Sequence, residues 1–465
     1  LTKRSVAKGP TILERIGDYV AAFSLDSIDP QGVETIRRLW LDSLGCCYGG
    51  SDAEPSAIVR DTVAELGGAT QATILCTGTR TAAPYAALAN GVATRYWDFM
   101  DVYFGPAWTA HPSDNVATIL AVAEAYDCSG RAFLEALVVA YEVQLAFSDL
   151  PVPRNLWHLG WHHTAACAYA SAAAVGKLLG LSGMQIADAM ALSGARANTF
   201  SEIRHGDIPM DKALSAPLVA SNSILPCLLA RRGFTGCRTL LEGPYGFRYA
   251  VAGGVDVEAL VPRPDQPRLG KVSIKPYPVE GMTIAMVQAA LDLRRLHQVQ
   301  PGEIRRTRIY VHEEALKKPS WDNQKLAPTN KETADHSFPY CVAAAFVAGR
   351  VTQQEFTARW LADPTITALM AQTEFAIDPA LTQLYRNGGR PARVEIETDR
   401  GTFAQETLYP RGDPRNPMSD TELIAKFTGQ AEPVLGKRAG PLAERILRID
   451  NEISVRGFVT ALVEG

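Results

Sequence analysis

The sequence is short of the patterns by which many functions announce themselves. Its eight cysteines (Cys46, Cys47, Cys76, Cys128, Cys167, Cys227, Cys237 and Cys341) are scattered over 465 residues, and no two form a C-x-x-C pair. That excludes a disulfide scaffold or zinc ribbon, and an iron–sulfur cluster would need three or four thiolates at usable spacing. Most lie in Ala/Leu-rich surroundings and read as small core residues in a reducing compartment. An excess of basic charge is also lacking: 46 Lys+Arg stand against 50 Asp+Glu, a formal net charge of -4, which argues against an electrostatic nucleic-acid binder. There is no G-x-G-x-x-G after a strand, no P-loop, no H-E-x-x-H and no EF-hand loop. GLSGM at 180–184 misses the nucleophile-elbow pattern by its last residue. The longest uncharged runs follow Lys212 and precede Lys177; prolines and polar residues break the first, and the second is Ala-rich behind two histidines. Neither is expected to span a membrane, and the N-terminal residues lack the apolar stretch of a secretory signal. These absences together lead us to expect a cytoplasmic protein without membrane or nucleic-acid partners.

What is present is mostly helical periodicity. Asp29-Pro30 offers an N-cap with proline at the first helical position, and Val33, Ile36, Trp40 and Leu44 recur at helical spacing before Gly45, which is expected to stop the run. Gly180 ends another helix, and Ser182 with Gln185 predicts a capping box for the next. QATIL (71–75) is a short strand-like interruption. Near residue 265 the texture changes at VPRPDQPR. Beyond it, 303–314 reads as a strand and 392–409 as a β-hairpin around Asp399-Arg400-Gly401, with helical patterns at 281–297, 335–349 and 353–361. After PRGDPRNP (410–417) the pattern returns to helices. The expected fold is mostly α: a helical domain over 1–265, a smaller α+β domain over 266–410, and a helical return over 411–465.

Polar residues in apolar settings carry the chemistry. Asp98 and Asp101 follow the apolar ALANGVATRYW; His111 lies in TAHPSDN; His162 and His163 adjoin an Ala-rich run. Lys212 precedes an uncharged stretch, Lys275 and Glu280 share SIKPYPVEG, and Asp335, His336 and Tyr340 open another apolar helix. Taken singly, each has an ordinary structural reading, such as a cap or a snorkelling lysine. His158 and His162 stand at i,i+4, but Gly160 lies between them and no carboxylate is spaced to complete a metal set, so no metal is expected.

In order and spacing, RYWDFMDVYFGPAWTAHPSDN, GWHHTAACAYASAAAVGKLLGL, MDKALSAPLVASNSILPCLLARRGFTG, SIKPYPVEG, KETADHSFPY and PRGDPRNPMSDTEL resemble the MmgE/PrpD family. The resemblance runs from IGDYV onward and is strongest to the 2-methylcitrate dehydratase branch. It implies a helical large domain with an α+β lid, a homodimer, and chemistry without metal or organic cofactor. The implied reaction is loss of water from a 2-methylcitrate-like tricarboxylate; the family also holds a cis-aconitate decarboxylase and an epimerase. Carried over by motif, Asp98, His111, Lys212, Lys275 and Tyr340 fall on active-site positions, together with either His162 or His163; Asp101, Glu280 and His336 are candidate substrate contacts.

The chemistry then requires a proton-transfer group (His111 or His163, with Asp98 orienting it), cations for the carboxylates (Lys212 and Lys275) and a donor to the leaving hydroxyl (Tyr340). Where the dehydratase pattern reads DFNDTY this chain has DFMDVY, with Met100 and Val102 in place of polar residues. Gly281 and Met282 replace an aromatic and a histidine. These departures point to a more apolar, alkyl-substituted substrate, or to a ligand-binding relative without turnover.

Overall fold

The computed structural model describes residues 9–317 and 321–464, most of them helical. The Asp29 carboxylate accepts the Gly32 amide at 2.7 Å, and the helix it caps, Pro30–Gly49, buries Ile36, Trp40 and Leu44. Gly45 does not stop it. A Cβ at that glycine would sit 3.2 Å from the ring of Phe427, so its role is to let the helix Asp420–Leu435 pack closely. Thus the chain's C-terminal part lies against its beginning. Gly180 adopts φ +64, and the capping box appears as expected: the Ser182 hydroxyl accepts the Gln185 amide while the Gln185 side chain accepts the Ser182 amide. Ala72–Ile74 is a strand, paired with an unanticipated partner, Thr79–Thr81.

Two apolar cores result. One draws on residues from Ile12 to Ile274 and again from Met418 to Leu462. The other is built mainly from residues 279–396, with Val102 buried in it and Trp97 and Phe104 packed against it from earlier in the chain. The second core packs the helices Ile284–His297 and Phe338–Ala348 with a four-stranded sheet. Its strand order is Thr373–Ile377, Ile304–Val311, Ala392–Thr398, Gly401–Thr407; the first pair is parallel and the others antiparallel. The expected hairpin turns over Asp399-Arg400, with Thr398 opposite Gly401.

Residues 353–361 form a 3₁₀ turn and a single helical turn rather than one helix. The edge strand Thr373–Ile377 and the helices Pro364–Ala371 and Pro379–Arg386 were not anticipated. Both helices begin on Asp-Pro, with the aspartate accepting backbone amides, the same signal that marks Asp29-Pro30.

One expectation about apolar runs needs correction. Asp211–Arg231 is long and apolar enough by composition to cross a membrane, with a mean hydropathy of 1.6. In the fold 56% of that window is buried, and its first helix, Asp211–Asn222, packs on Ala83–Tyr96 and Cys167–Leu178.

Candidate active site

A cleft between the two cores is walled by Arg95, Asp98, His111, His163, Glu280 and His336, among others. A more open hollow adjoins it, sharing Trp157, His158 and Lys317.

Its floor is an ion-pair network. The helix Ala83–Tyr96 ends just before Asp98, which adopts a left-handed conformation (φ 49) that aspartate tolerates better than most residues. Lys275 Nζ lies 2.5 Å from Asp98 Oδ1 and also donates to the backbone carbonyls of Asp98 (2.8 Å) and Val279 (3.0 Å). Lys212 Nζ is 2.7 Å from both Asp335 oxygens and 3.1 Å from Asp98 Oδ2. Lys331 completes the group, 2.9 Å from Asp335 Oδ2 and above the ring of Tyr96. Burial pushes the Asp98 carboxyl up, but Lys212, Lys275 and Arg95 outweigh it and hold the group well below the usual carboxylate range. Asp335 is held low in the same way, by Lys212 and Lys331 against burial. Burial also pulls the Lys212 ammonium down to about 8, against the pull of Asp335 and Asp98.

Asp98, Asp335 and His336 form a possible metal-donor group among the described residues. Both carboxylates are already on Lys212, whose ammonium fills the cation's place.

The histidines are sorted by their partners. His111 Nδ1 is 2.6 Å from the Asp101 carbonyl, which can only accept; Nδ1 therefore carries the proton and Nε2 the lone pair. His163 Nε2 donates to Asp114 Oδ2 at 3.3 Å, leaving Nδ1 with a lone pair and no partner among the described residues. The two rings meet edge to face at 5.3 Å. His162 lies behind His163, and its Nε2 accepts from Arg204 Nε at 3.2 Å, so that lone pair is committed. Burial keeps all three rings neutral: it lowers His163 to about 4 and takes His111 and His162 well below the usual value. His336 hydrogen-bonds Asp335 through Nδ1 and is lowered to about 3, first by burial and then by Lys212.

The remaining expected residues divide. Glu280 lines the cleft; its Oε2 accepts the Met282 amide at 2.7 Å, and burial raises its carboxyl to about 7. Asp101 lies away from the cleft wall, fully buried, accepting from the Ser113 hydroxyl at 2.5 Å. Tyr340 is not brought to the cleft either. Its hydroxyl donates to the Glu355 carbonyl at 2.5 Å and its ring packs in the second core. Lys212 and Lys275 also depart from expectation, because their ammonium protons are spent on carboxylates and carbonyls of the protein.

Two arginines in the wall are residues that sequence reasoning passed over. Arg95 and Arg204 are buried beside the cleft, and Arg95 Nε and both Arg204 Nη atoms have no hydrogen-bond partner among the described residues. Lys212, Lys275, Lys331, Arg95 and Arg204 stand against Asp98, Asp114 and Asp335, while burial raises the Asp101 and Glu280 carboxyls to about 7, a local positive excess on a chain of net charge -4. Asp114 stands in HPSDN, three residues after His111. Arg204, in SEIRHGD, looked like any loop arginine.

Residues 14–260 match the MmgE/PrpD N-terminal domain and residues 277–449 the MmgE/PrpD C-terminal domain. The chain belongs to the MmgE/PrpD family. Among its relatives, a mitochondrial 2-methylcitrate dehydratase of Yarrowia lipolytica is 26% identical over 95% of this chain and 87% of its own length. A 2-methylcitrate dehydratase of Cupriavidus necator is 27% identical over 89% of this chain and 88% of its own. The human cis-aconitate decarboxylase is 25% identical, over 98% and 95%. Both names are those of enzymes. Within this MmgE/PrpD chain, the unusual positions pack together: Val102 is buried in the second core, bridged to Ser273, and a Cβ on Gly281 would lie 3.4 Å from Val102 Cγ2 and 2.9 Å from the Phe104 ring. Gly281 and Met282 themselves line the cleft.

Proposed function

We propose that this protein is a cofactor-independent hydro-lyase that removes water from a 2-methylcitrate-like hydroxy tricarboxylate. The observation that carries the reading is one cleft walled by both His163, whose Nδ1 has no hydrogen-bond partner among the described residues, and Glu280, whose carboxyl burial raises to about 7, with Arg95 and Arg204 beside them. His163 Nδ1 takes the proton from the carbon next to a carboxylate, and Asp114 steadies the imidazolium that forms. Charge developing on that carboxylate is stabilised by the cationic wall. The carbon–oxygen bond of the neighbouring hydroxyl breaks as Glu280 protonates it; an alkene and one water result. This gives Glu280 the part that sequence reasoning had assigned to Tyr340, while Lys212, Lys275 and Asp98 hold the floor rigid and charged.

The apolar lining at Gly281 and Met282 favours an alkyl substituent on the substrate. We read the second core as the lid of a two-domain protein divided near 265 and 410. We also propose a homodimer: Leu218 and Leu225, on adjoining helices, and nearby Phe234 are exposed large apolar side chains that a partner copy would cover.

Incubation with 2-methylcitrate while following alkene absorbance, released carbon dioxide and solvent-deuterium uptake tests the reaction. Absorbance without carbon dioxide supports the dehydratase; carbon dioxide would instead support a decarboxylase, and exchange alone an epimerase. Silence in all three would defeat the reading.

A further inference from the structure

Arg204 is held in an unusual state. It closes the 3₁₀ turn Ser201–Arg204, is 4% exposed, and lines the cleft. One guanidinium nitrogen, Nε, is fixed by donation to His162 Nε2 at 3.2 Å, and the backbone carbonyl is fixed by Lys325 Nζ at 3.2 Å. The two outer nitrogens, which form the fork, have neither a hydrogen-bond partner nor a paired carboxylate among the described residues. Burying a guanidinium without an anion is costly, and native proteins almost always pair such a group. Its neighbours offer no relief, since Asp98 and Asp335 are taken by lysines and Asp114 faces His163 and Arg95. The anchored Nε and turn fix the plane of the fork in advance, which is the arrangement that favours bidentate capture of a carboxylate.

We infer that the Nη1/Nη2 fork of Arg204 is the site that binds one substrate carboxylate, and that it, rather than Lys212 or Lys275, sets the preference for polycarboxylates. The inference rests on the reading of the cleft as a carboxylate-substrate site. Because Arg204 also holds His162, which packs against His163 at 4.4 Å between ring centroids, the bound carboxylate lies within one imidazole layer of the proposed base.

The test is binding of tricarballylate, a tricarboxylate with no hydroxyl to lose, by calorimetry and thermal shift on wild type, Arg204→Gln and Arg204→Lys. Wild type should bind and be stabilised. Arg204→Gln should weaken binding about 10- to 100-fold, the usual worth of charge-assisted hydrogen bonds. Arg204→Lys, which keeps charge without the fork, should fall between and cover the case in which the glutamine variant fails to fold. Ligand-free Arg204→Gln should melt at or above the wild-type temperature, because a group kept for ligand is a burden without it; a merely structural arginine would give a lower one. Equal affinity in wild type and both variants, or no binding to wild type at millimolar ligand, overturns the inference. If 2-methylcitrate is not turned over but tricarballylate binds in an Arg204-dependent way, the dehydratase reading fails and this one stands.

Discussion

Lys275 holds Asp98 twice, by its carboxylate at 2.5 Å and by its own backbone carbonyl at 2.8 Å. The lysine thereby pins a left-handed residue at the end of the Ala83–Tyr96 helix. Removing the ammonium leaves a buried carboxylate short of its partner, and breaking such pairs costs about 3–5 kcal/mol. Lys275→Met should therefore lower the unfolding free energy by about that amount and abolish turnover. The double variant Lys275→Met/Asp98→Asn should regain part of the stability but none of the activity, as read by chemical denaturation and rate measurements.

The adjacent histidines should behave differently. His163→Gln removes the free lone pair in the cleft and should lower kcat by about 100-fold or more, the ordinary worth of a general base. His162→Gln leaves that lone pair in place and removes the acceptor that holds Arg204 Nε, so its effect should fall mainly on KM. Equal losses of kcat in both variants would show that the two rings were wrongly distinguished.

The rate should depend on pH in a stated direction. His163, lowered to about 4, must be neutral to accept a proton, so kcat/KM rises as pH climbs through about 4. Glu280, raised to about 7, must keep its proton, so the rate falls as pH rises through about 7. Lys212 loses its charge near 8 and steepens that fall. Glu280→Gln should remove the limb near 7 and lower the remaining rate; a wild-type-like profile in that variant would exclude Glu280 as the acid.

Gly281 tests the cleft wall. A Cβ there would meet the Phe104 ring at 2.9 Å, closer than packed atoms tolerate. Gly281→Ala should push Phe104 aside, cost about 1–3 kcal/mol of stability, and raise KM for alkyl-substituted substrates. Adding Phe104→Leu should restore both.

Much of this was legible in the residues. The caps at Asp29 and Ser182 and the hairpin at Asp399-Arg400 follow from local backbone demands that each short segment states by itself. Gly45 misled because a glycine that lets two helices approach looks, in one strand of text, like one that ends a helix. In the site, motif order picked out Asp98, His111, Glu280 and His336 and left His162 and His163 undecided; the fold brings the first four and His163 to one cleft. Motif order could not show that Lys212 and Lys275 spend their protons on Asp98 and Asp335, nor that the Tyr340 hydroxyl turns to Glu355. Those facts depend on contacts between residues far apart in the chain. Arg204 was invisible for the same reason, since what distinguishes it is a pair of outer nitrogens without a hydrogen-bond partner among the described residues.

The most direct test of the central claim is the product formed from 2-methylcitrate by purified wild-type protein, followed by nuclear magnetic resonance. We predict an alkene that has lost one water and kept all three carboxylates, formed by wild type and not by His163→Gln. Unchanged 2-methylcitrate at saturating concentration, or a product short of a carboxylate, would contradict the account.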